Sequence, residues 1–575
     1  MISSKIYPQR WKIYPPQPHL VAELVRTFGL SPIMAQVIIN RGFHDLGDVR
    51  CYISPESENL PSPLQEFPDL EHSLNLLTDA INHQEKIAIC GDYDADGMTS
   101  TALLIRAFKH LGAIVDYAIP SRMKDGYGLN NRIVEEFKQE NVQLILTVDN
   151  GISAHQPIAL AKELGIKVII TDHHDLPLNL PLADAILNPK LLPKNSPYAG
   201  LAGVGVAYIL AVTLAQKLAQ LSGLTKQLLE LYTLGTIADL APLTGVNRRW
   251  LKRGLKFLAN SDVLGIQKLI EIGGVNDQKK TLNPEDIGFK LGPRINAIGR
   301  IGDPQIVIEL LTTNDDEIAT ARALECNQVN ETRQKLCIEI TDEAINLIEK
   351  NYSHYKQDRV ILIVQEGWHH GIIGIVASRL VEKYAVPVFI GTYEGDDNEK
   401  IRGSARGIEE YNIFEALQYC DDLLGKYGGH KMAGGFSFET KNLSLIKQRL
   451  IDFSHQLLLP EHLQTLVKID AEINLSQANL ILLRESEKLQ PWGIENNTPI
   501  FCSRGVKVIE QKLTRNGEHL QLILKDNSGT LRCIAWRKSD YFPLPPTIDI
   551  AYKITLNEWQ GEKNIQLDIQ GMKPS

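Results

Sequence analysis

The sequence lacks the features of a secreted, membrane-spanning or zinc-binding protein. Its seven cysteines are dispersed without a Cys-x-x-Cys pair, which argues against a zinc ribbon and a disulfide framework. No positively charged start followed by an apolar stretch resembles a signal peptide. The longest apolar run, residues 201–215, is too short and too rich in glycine to span a bilayer. We therefore expect a cytoplasmic protein in which this run forms a buried helix.

The chain also lacks the excess of basic residues that a simple nucleic-acid binder carries, because its formal net charge is −9. This charge does not exclude a local basic groove, since attraction to phosphates is local. With 575 residues, 43% of them hydrophobic and 22% charged, the chain has the composition of an ordinary globular protein. That length is too great for one core and predicts roughly three or four domains.

Three carboxylates alternate at the end of an apolar run. Asp92, Asp94 and Asp96 follow residues 87–89, and Gly97 comes directly after them. Like charges this close raise one another's pKa or recruit a metal ion. Taken alone, the segment fits a solvated acidic turn equally well.

The same arrangement recurs twice downstream. The apolar run 143–148 ends at Asp149, and the run 167–171 ends at Asp172, His173 and His174. Helix-like stretches at 99–110, 131–140 and 153–165 separate these runs, and this alternation predicts an α/β domain with a parallel sheet. Ligands bind outside the carboxyl ends of such strands, so the acids and histidines are predicted to converge on one site.

Neither glycine nor proline occurs between Pro304 and Gly367. Within this stretch, residues 315–350 predict one long helix, polar on all sides in its middle, that bridges two domains. A broken pair of helices is the alternative.

A second α/β pattern follows the predicted bridge. It contains strands at 360–364 and 386–390 around a helix at 372–384, and then two glycine-rich turns at 401–407 and 427–435 that carry Ser, Arg and His. Such turns let backbone amides and a guanidinium approach a phosphate, so they favour anion binding.

The last hundred residues show short β-rich runs at 468–473, 499–510, 519–525, 530–536 and 547–556, typical of a small barrel. Basic residues are concentrated at 504–538, interleaved with Phe501 and Trp536, as on a surface that binds single strands by stacking. A solvated basic face over buried aromatics fits this segment about as well.

Several segments, taken together, resemble the signature motifs of the DHH phosphoesterase superfamily. The resemblance is greatest to its bacterial single-strand-specific 5′→3′ exonucleases, and it extends from about residue 80 to the end. The segments that carry it are 91–97, 121–129, 148–151, 172–174, 202–206, 237–243, 292–300, 402–406 and 428–435. Cys90, Ile298 and Gly407 depart from the family pattern; we interpret Cys90 as a buried structural thiol.

The resemblance implies a two-metal site and a substrate site. One or two Mn²⁺ or Mg²⁺ ions would be bound by Asp94, Asp96, Asp149, His173 and Asp239, with Asp149 bridging. His174 and His430 would join these ligands in the catalytic set, with His430 at the scissile phosphate, and Asp92 and Asp172 would support the ligands. The residues expected at the substrate are Arg122, Tyr127, Arg294, Arg379, Ser404 and Arg406.

The resemblance also implies an architecture: an N-terminal cap (1–70), a DHH catalytic domain (71–314), the connecting helix (315–350), a DHH-associated domain (351–460) and an OB-fold barrel (461–575). The expected substrate is single-stranded DNA with a 5′ end, cleaved to 5′-mononucleotides during repair and recombination. We expect a monomer without membrane contact, with single-strand-binding protein and a helicase as candidate partners.

Other functions stay open at this point. A nanoRNase or cyclic-dinucleotide phosphodiesterase would use the same acids on short substrates, but the predicted barrel and long helix favour a polymer. A DHH pyrophosphatase would have no use for a nucleic-acid barrel. A non-catalytic replication scaffold would not need the full set of Asp and His ligands.

Overall fold

The computed structural model describes residue 6 and residues 8–121, 126–275, 281–352, 354–395, 397–559 and 562–575. The chain divides into two compact units. The central unit comprises residues 50–333 and 490–497, and the terminal unit comprises residues 1–49, 334–489 and 498–575. The predicted cap 1–70 therefore contributes to both units, and the domain boundaries stay predictions.

The N-terminal segment consists of one strand and three helices: β1 (Gln9–Ile13), α1 (Pro18–Phe28), α2 (Pro32–Asn40) and α3 (Leu46–Ile53). The Ser31 side chain accepts a hydrogen bond from Met34 N and caps α2. In the described part of the chain, no single helix is long and apolar enough to cross a membrane, although α1 and α2, bent by 114°, pass that test as a pair on length and composition.

The central unit alternates helices and strands. Its elements are α4 (Pro63–Glu66), α5 (Leu70–Asn82), β2 (Lys86–Cys90), α6 (Ala95–His110), β3 (Ile114–Ala118), α7 (Asn131–Gln139), β4 (Val142–Val148), α8 (His155–Glu163), β5 (Lys167–Thr171), β6 (Ala185–Leu187), α9 (Gly203–Lys217), α10 (Thr225–Ala238), α11 (Gly245–Leu258), α12 (Leu264–Ile272), α13 (Pro284–Asp286), α14 (Gly292–Ile301) and α15 (Gln305–Thr312). A π-helical turn, Ile287–Leu291, joins α13 to α14, and short 3-10 turns lie at Pro55–Ser57 and Pro189–Leu191.

The five strands of this unit form one sheet in the order β3-β2-β4-β5-β6, and every pair is parallel. Apolar side chains of β2, β4 and β5 are buried on both faces, against α5, α6 and α9 on one side and α7 and α8 on the other. The predicted parallel sheet and the predicted buried helix at α9 are confirmed.

A single helix of 36 residues, α16 (Asp316–Asn351), follows the central sheet and its helices. The Asp315 carboxylate accepts hydrogen bonds from Glu317 N and Ile318 N and so caps its first turn. At 1.5 Å per residue the helix is about 54 Å long. The predicted long connecting helix is confirmed, and it continues from the central unit into the terminal unit at residues 333 and 334.

The second α/β fold lies in the terminal unit. Its elements are α17 (Tyr355–Asp358), β7 (Ile361–Val364), α18 (His370–Tyr384), β8 (Val388–Glu394), β9 (Lys400–Arg406), α19 (Ile413–Gln418), β10 (Lys426–Gly429), β11 (Ala433–Glu439) and α20 (Leu443–Leu457), with 3-10 turns at Asp421–Leu423 and Thr440–Asn442. The strand order is β10-β11-β9-β8-β7. Only the β7–β8 pair of this sheet is parallel, since the other three pairs are antiparallel.

The last part of the chain forms a closed barrel. Its elements are β12 (Thr465–Ile469), β13 (Ala471–Glu472), α21 (Leu480–Glu487), β14 (Phe501–Leu513), β15 (Leu520–Lys525), β16 (Thr530–Ala535), β17 (Thr547–Trp559) and β18 (Glu562–Pro574), with 3-10 turns at Pro460–Leu463, Leu475–Gln477 and Ser539–Tyr541. The strands run in the order β14-β15-β16-β18-β17, and β14 also pairs with β17, which closes the barrel. This is the OB-fold connectivity expected from the resemblance. The sequence prediction omitted β18, although its Leu567 and Ile569 alternate into the core.

The N-terminal strand is part of the same unit as the barrel. β1 pairs with β12 in parallel, from Gln9 beside Thr465 to Ile13 beside Ile469. The Gln9 side chain is buried, and its Oε1 accepts hydrogen bonds from Met572 N at 3.1 Å and from Trp11 Nε1 at 3.3 Å. Gln9 thus satisfies a backbone amide of the last strand of the barrel.

Gln9→Ala should weaken the C-terminal strand β18. The substitution leaves the buried Met572 N–H without this acceptor, which costs about 1–3 kcal/mol. We expect faster hydrogen exchange in peptides from 563–574 than in the wild type, measured by mass spectrometry. Gln334→Ala, at an exposed position of α16, is the control. Unchanged exchange in β18 would contradict this role of Gln9.

Candidate active site

The acids and histidines predicted from the sequence lie at one edge of the central sheet. β2, β4 and β5 are neighbours and end at Cys90, Val148 and Thr171. Asp149 and the segment 172–174 follow their strands directly, and Asp92 follows Cys90 after one residue. The predicted convergence of three strand ends is therefore present in the fold.

The turn after β2 is held by the helices on either side of it. The Asp94 carboxylate accepts a hydrogen bond from Gly97 N at 3.0 Å and caps α6. Asn296 of α14 accepts through its Oδ1 from Ala95 N at 2.9 Å. A Cβ at Gly299 would lie 1.7 Å from the Tyr93 carbonyl oxygen, so only glycine lets α14 approach this turn. Both contacts come from the segment 292–300. The sequence pointed to Arg294 in this segment, whereas Asn296 and Gly299 are the residues that contact the turn.

The buried Asp96 side chain faces the start of α9. Its two carboxylate oxygens accept hydrogen bonds from Gly203 N and Val204 N, each at 2.7 Å. The positive end of the helix dipole stabilises a negative charge here. A Cβ at Gly203 would lie 2.8 Å from Asp149 Cβ, so this glycine lets α9 pass between two acids.

Asp149 has a strained backbone and a buried, unsatisfied side-chain oxygen. Its φ is +61°, a left-handed conformation that is uncommon outside glycine, and sites of this kind cluster at functional positions. Among the described residues no group donates a hydrogen bond to its Oδ1, although His173 Nε2 lies 3.0 Å away. A buried carboxylate oxygen that accepts no hydrogen bond is suited to binding a cation.

Asp172 orients the two histidines. Its Oδ1 accepts hydrogen bonds from His173 N at 2.7 Å and from His174 N at 3.1 Å, and it lies 2.8 Å from His174 Nδ1. Its Oδ2 accepts from Ile152 N at 2.9 Å. Both oxygens of Asp172 are therefore engaged by protein donors, and Asp172 holds the backbone at His173 and the imidazole ring of His174.

Side chains from these segments form three groups whose ligand atoms lie within 4.8 Å of one another. They are Asp92, Asp94 and Asp149; Asp149, His173 and His174; and Asp96, His173 and Asp239. Asp149 belongs to two of the groups, and His173 links them to the third. Asp239 ends α10 and would pass for an ordinary helix terminus without its neighbours.

These donors fit divalent metal ions. They are carboxylate oxygens and imidazole nitrogens without a thiolate, a set that suits Mn²⁺ or Mg²⁺ better than a structural zinc. Cys90 is fully buried, and burial raises the pKa of its thiol, in line with a structural role. The orphaned Asp149 Oδ1 supports the same conclusion.

The terminal unit contains a second polar site, on β9 and α18. A Cβ at Gly374 would lie 3.1 Å from Arg406 Nη2 and 3.4 Å from Ser404 Oγ, so both side chains reach the first turns of α18. Arg406 donates a hydrogen bond to the Ala405 carbonyl at 2.8 Å, and no carboxylate of the described residues lies within ion-pair distance of it. Burial lowers its pKa. A half-buried, unpaired guanidinium near a helix N-terminus favours an anion.

Comparison with known proteins decides the family. Three family models match: the DHH family N-terminal domain over 86–236, the DHHA1 domain over 357–456 and the RecJ OB domain over 469–571. The "Single-stranded-DNA-specific exonuclease RecJ" of Bacillus subtilis is 34% identical over 576 residues, which cover 99% of this chain and 71% of the relative. The chain belongs to the RecJ family. The Escherichia coli RecJ is also 34% identical, over 95% of this chain and 96% of the relative.

A solved structure of the RecJ family matches over nearly the whole chain. The Thermus thermophilus RecJ, crystallised in complex with Mn²⁺, has a TM-score of 0.84 and 29% identity, and the match covers 98% of this chain and 79% of that one. The family membership inferred from the motifs is thereby confirmed.

Burial and mutual repulsion control the protonation of this RecJ-family site. Burial, reinforced by neighbouring carboxylates, raises the pKa of Asp96 to about 7 and that of Asp239 to about 9, and it raises the pKa of Asp149 in the same way. Burial lowers the pKa of His173 to about 4, which keeps its imidazole neutral. Burial is the largest single influence on Asp172 and opposes its charge. The hydrogen bonds from the His174 ring and from the Ile152 and His174 amides, together with the charge of His174, outweigh it and lower the pKa.

The remaining residues predicted at the substrate or at the scissile phosphate lie in different parts of the fold. Tyr127 donates its hydroxyl to the Asp149 carbonyl at 2.8 Å and lies 3.2 Å from His174 Nδ1. Arg379 lies 3.5 Å from the Cys337 carbonyl and from Thr341 Oγ1 of the long helix. His430 follows β10, in the exposed turn before β11. Arg122 lies outside the described residues. The individual roles of all these residues stay predictions.

Only one of the two predicted aromatic platforms on the barrel is exposed. Trp536 is 54% exposed, with its ring 4.8 Å from that of His519. Phe501 is 2% exposed and belongs to the core, so its interpretation as a stacking surface was wrong. The first three residues of β14, Phe501 to Ser503, are all buried, and a list of aromatic positions does not reveal that burial.

Asp149→Asn should abolish most of the stabilisation by metal. Metal that binds only the folded state at a hundred times its Kd adds about 2.7 kcal/mol. We expect a Mn²⁺-dependent rise in the thermal midpoint of the wild type and little rise in the variant. Without metal, the variant should be the more stable protein, because one buried like charge is removed. Asp175→Asn, beside the cluster but exposed, is the control. An equal Mn²⁺ response in both variants would contradict a ligand role for Asp149.

Proposed function

We propose that this chain is a cytoplasmic, metal-dependent exonuclease that degrades single-stranded DNA from the 5′ end and serves repair and recombination. The observation that carries the proposal is the group of buried and half-buried acids and histidines at the carboxyl edge of the central sheet, in a chain of the RecJ family. All seven cysteines are free, as a reducing compartment requires.

We assign the metal ligands to Asp94, Asp96, Asp149, His173 and Asp239, and Asp149, which belongs to two of the ligand groups, would serve both ions. Asp92 and His174 each belong to a ligand group with Asp149, so both lie close enough to bind the same ions. Asp172 instead holds the histidine segment in place. One or two ions, Mn²⁺ or Mg²⁺, would polarise the phosphoryl group and activate water. The named relative was crystallised with Mn²⁺, which supports this assignment.

The proposed reaction is hydrolysis of the first phosphodiester. Water adds to phosphorus, and the bond from phosphorus to the 3′ oxygen of the first nucleotide breaks. The products are a 5′-mononucleotide and a strand with a new 5′-phosphate. The protein contributes orientation: α9 holds Asp96, Tyr127 binds the Asp149 carbonyl, and Asp172 fixes the histidines.

We assign the 5′-phosphate to Ser404 and Arg406. The unpaired guanidinium can bind two phosphate oxygens at once, and the hydroxyl beside it can donate a further hydrogen bond. Arg294, Arg379, Arg122 and His430 are further candidates for phosphate contact.

The barrel is the proposed platform for the strand beyond the site. Arg532 and Arg537 are exposed, and so is Trp536, which gives the surface both cations and a stacking face. Single-strand-binding protein and a helicase are proposed partners, and a monomer is the proposed state.

The direct test is hydrolysis of a 5′-labelled single strand with Mn²⁺. The wild type should release labelled mononucleotide first, and Asp149→Ala should be slower by at least roughly a hundredfold, because charge developing in the transition state loses its stabilisation. Asp175→Ala is the matched control, an exposed carboxylate beside the cluster.

Equal degradation by wild type and Asp149→Ala, or none by either, would refute the exonuclease. A blunt duplex should resist, and a 3′-labelled strand should shorten in steps. Hydrolysis confined to dinucleotides or cyclic dinucleotides would instead support the phosphodiesterase alternative.

Arg406→Ala should remove the preference for a 5′-phosphorylated strand over a 5′-hydroxyl strand. A lost hydrogen bond to a charged group costs about 1.5–3 kcal/mol, so KM for the phosphorylated strand should rise roughly 10- to 150-fold. Arg402→Ala is the control, because Arg402 lies on the same strand but faces Glu394 at 3.4 Å. If Arg406→Ala and Arg402→Ala show the same preference for the 5′-phosphorylated strand, Arg406 does not bind the 5′-phosphate.

A further inference from the structure

Phe289 is the most exposed aromatic residue in the described part of the chain. Its side chain is 81% exposed, against 54% for Trp536 and 50% for Tyr127. Isolated apolar residues on a surface are common, so exposure by itself indicates nothing. The position of Phe289 in its helix and the charges beside it add two independent observations.

The ring projects from the π-helical turn Ile287–Leu291. Here Gly292 N donates to the Ile287 carbonyl, five residues earlier, and the neighbouring Ile287 and Leu291 are fully buried. Turns of this kind are rare and occur frequently at functional sites. The π turn directs Phe289 to solvent while its neighbours remain in the core.

The helix that carries Phe289 also holds the metal-binding turn. Asn296 binds Ala95 N at 2.9 Å, and Gly299 packs against the Tyr93 carbonyl. Phe289 precedes Asn296 by seven residues, which is about 10 Å along a helix. That distance corresponds to roughly three nucleotides of a stacked strand, at 3.4 Å each.

Positive charge accompanies the ring along the same helix. Arg294 donates to the Asn327 side chain at 3.0 Å and to the Lys290 carbonyl, both neutral acceptors. No carboxylate of the described residues lies within ion-pair distance of Arg294. Lys290 donates to the Gly274 carbonyl at 2.9 Å, and its nearest acid is Asp286 at 4.0 Å. An exposed aromatic ring on a helical segment that also carries two cations suits a nucleobase and its phosphate.

We propose that Phe289 is a stacking subsite for a nucleobase of the single strand, a few nucleotides from the scissile phosphate. This inference rests on the proposed function. Because every base has a π face, the subsite holds the strand without reading its sequence. Phe289 is a positioning residue, since it touches the substrate away from the reacting atoms.

The test compares Phe289→Ala, Phe289→Trp and Phe257→Ala on a 5′-phosphorylated strand. Loss of one stacked base should raise KM roughly fivefold to a hundredfold in Phe289→Ala with little change in kcat, and Phe289→Trp should restore it. Phe257→Ala, at a position of α11 that is 38% exposed, should leave KM unchanged. Equal thermal midpoints establish that the variants are folded.

A strand with one abasic site, moved stepwise from the 5′ end, identifies the ligand. In the wild type, an abasic site at one or two positions should raise KM. In Phe289→Ala, an abasic site at those positions should no longer raise KM, whereas any effect of an abasic site elsewhere should remain. If the wild type cleaves the strand but Phe289→Ala has an unchanged KM, or keeps every abasic penalty, the stacking subsite is refuted. The exposed ring would then fit a protein partner better. If the wild type cleaves no single strand, the proposed function itself fails.

Discussion

Repulsion among buried carboxylates is the constraint on which the catalytic half of this protein depends. Asp92, Asp96 and Asp149 are each at most 2% exposed, and Asp94 and Asp239 complete the acidic cluster. Burial without a counter-charge is costly, and the raised pKa of Asp96, Asp149 and Asp239 expresses that cost. The fold keeps the acids together because bound metal, or protons in its absence, compensates their charge.

The surroundings of the cluster consist largely of contacts that prevent it from spreading apart. The start of α9 donates two backbone amides to Asp96. Helix α14 presses on the Asp92–Asp94 turn through Asn296 and Gly299. Asn150 donates to the Cys90 and Val148 carbonyls, which joins the ends of β2 and β4. Each contact uses a backbone group or a missing side chain, so each requires that the chain segments pack closely.

Much of this arrangement could be predicted from the chain alone, and the reason lies in periodicity. Apolar runs that are followed by Asp or His, at 87–96, 143–149 and 167–174, mark the carboxyl ends of parallel strands, and those ends lie at one edge of the sheet. The signals for Asp239 and for the glycine-rich loops of the second α/β fold were weaker, and only the resemblance to a family singled out Asp239. Phe501 was misjudged because the pattern of a short β-run does not fix which face is inward. β18 was missed beyond a turn, although its alternation was present.

The sequence by itself determined the strand ends, the long helix without glycine or proline, the barrel and the chemistry of the donors, because each depends on local order along the chain. Only the tertiary structure decided which acids lie within 4.8 Å of one another, that Gly203 and Gly299 are required by close approach, and that β1 joins β12. It also decided that Phe289 faces solvent while Phe501 does not. These facts depend on distances between residues far apart in the chain, and no local pattern encodes those distances.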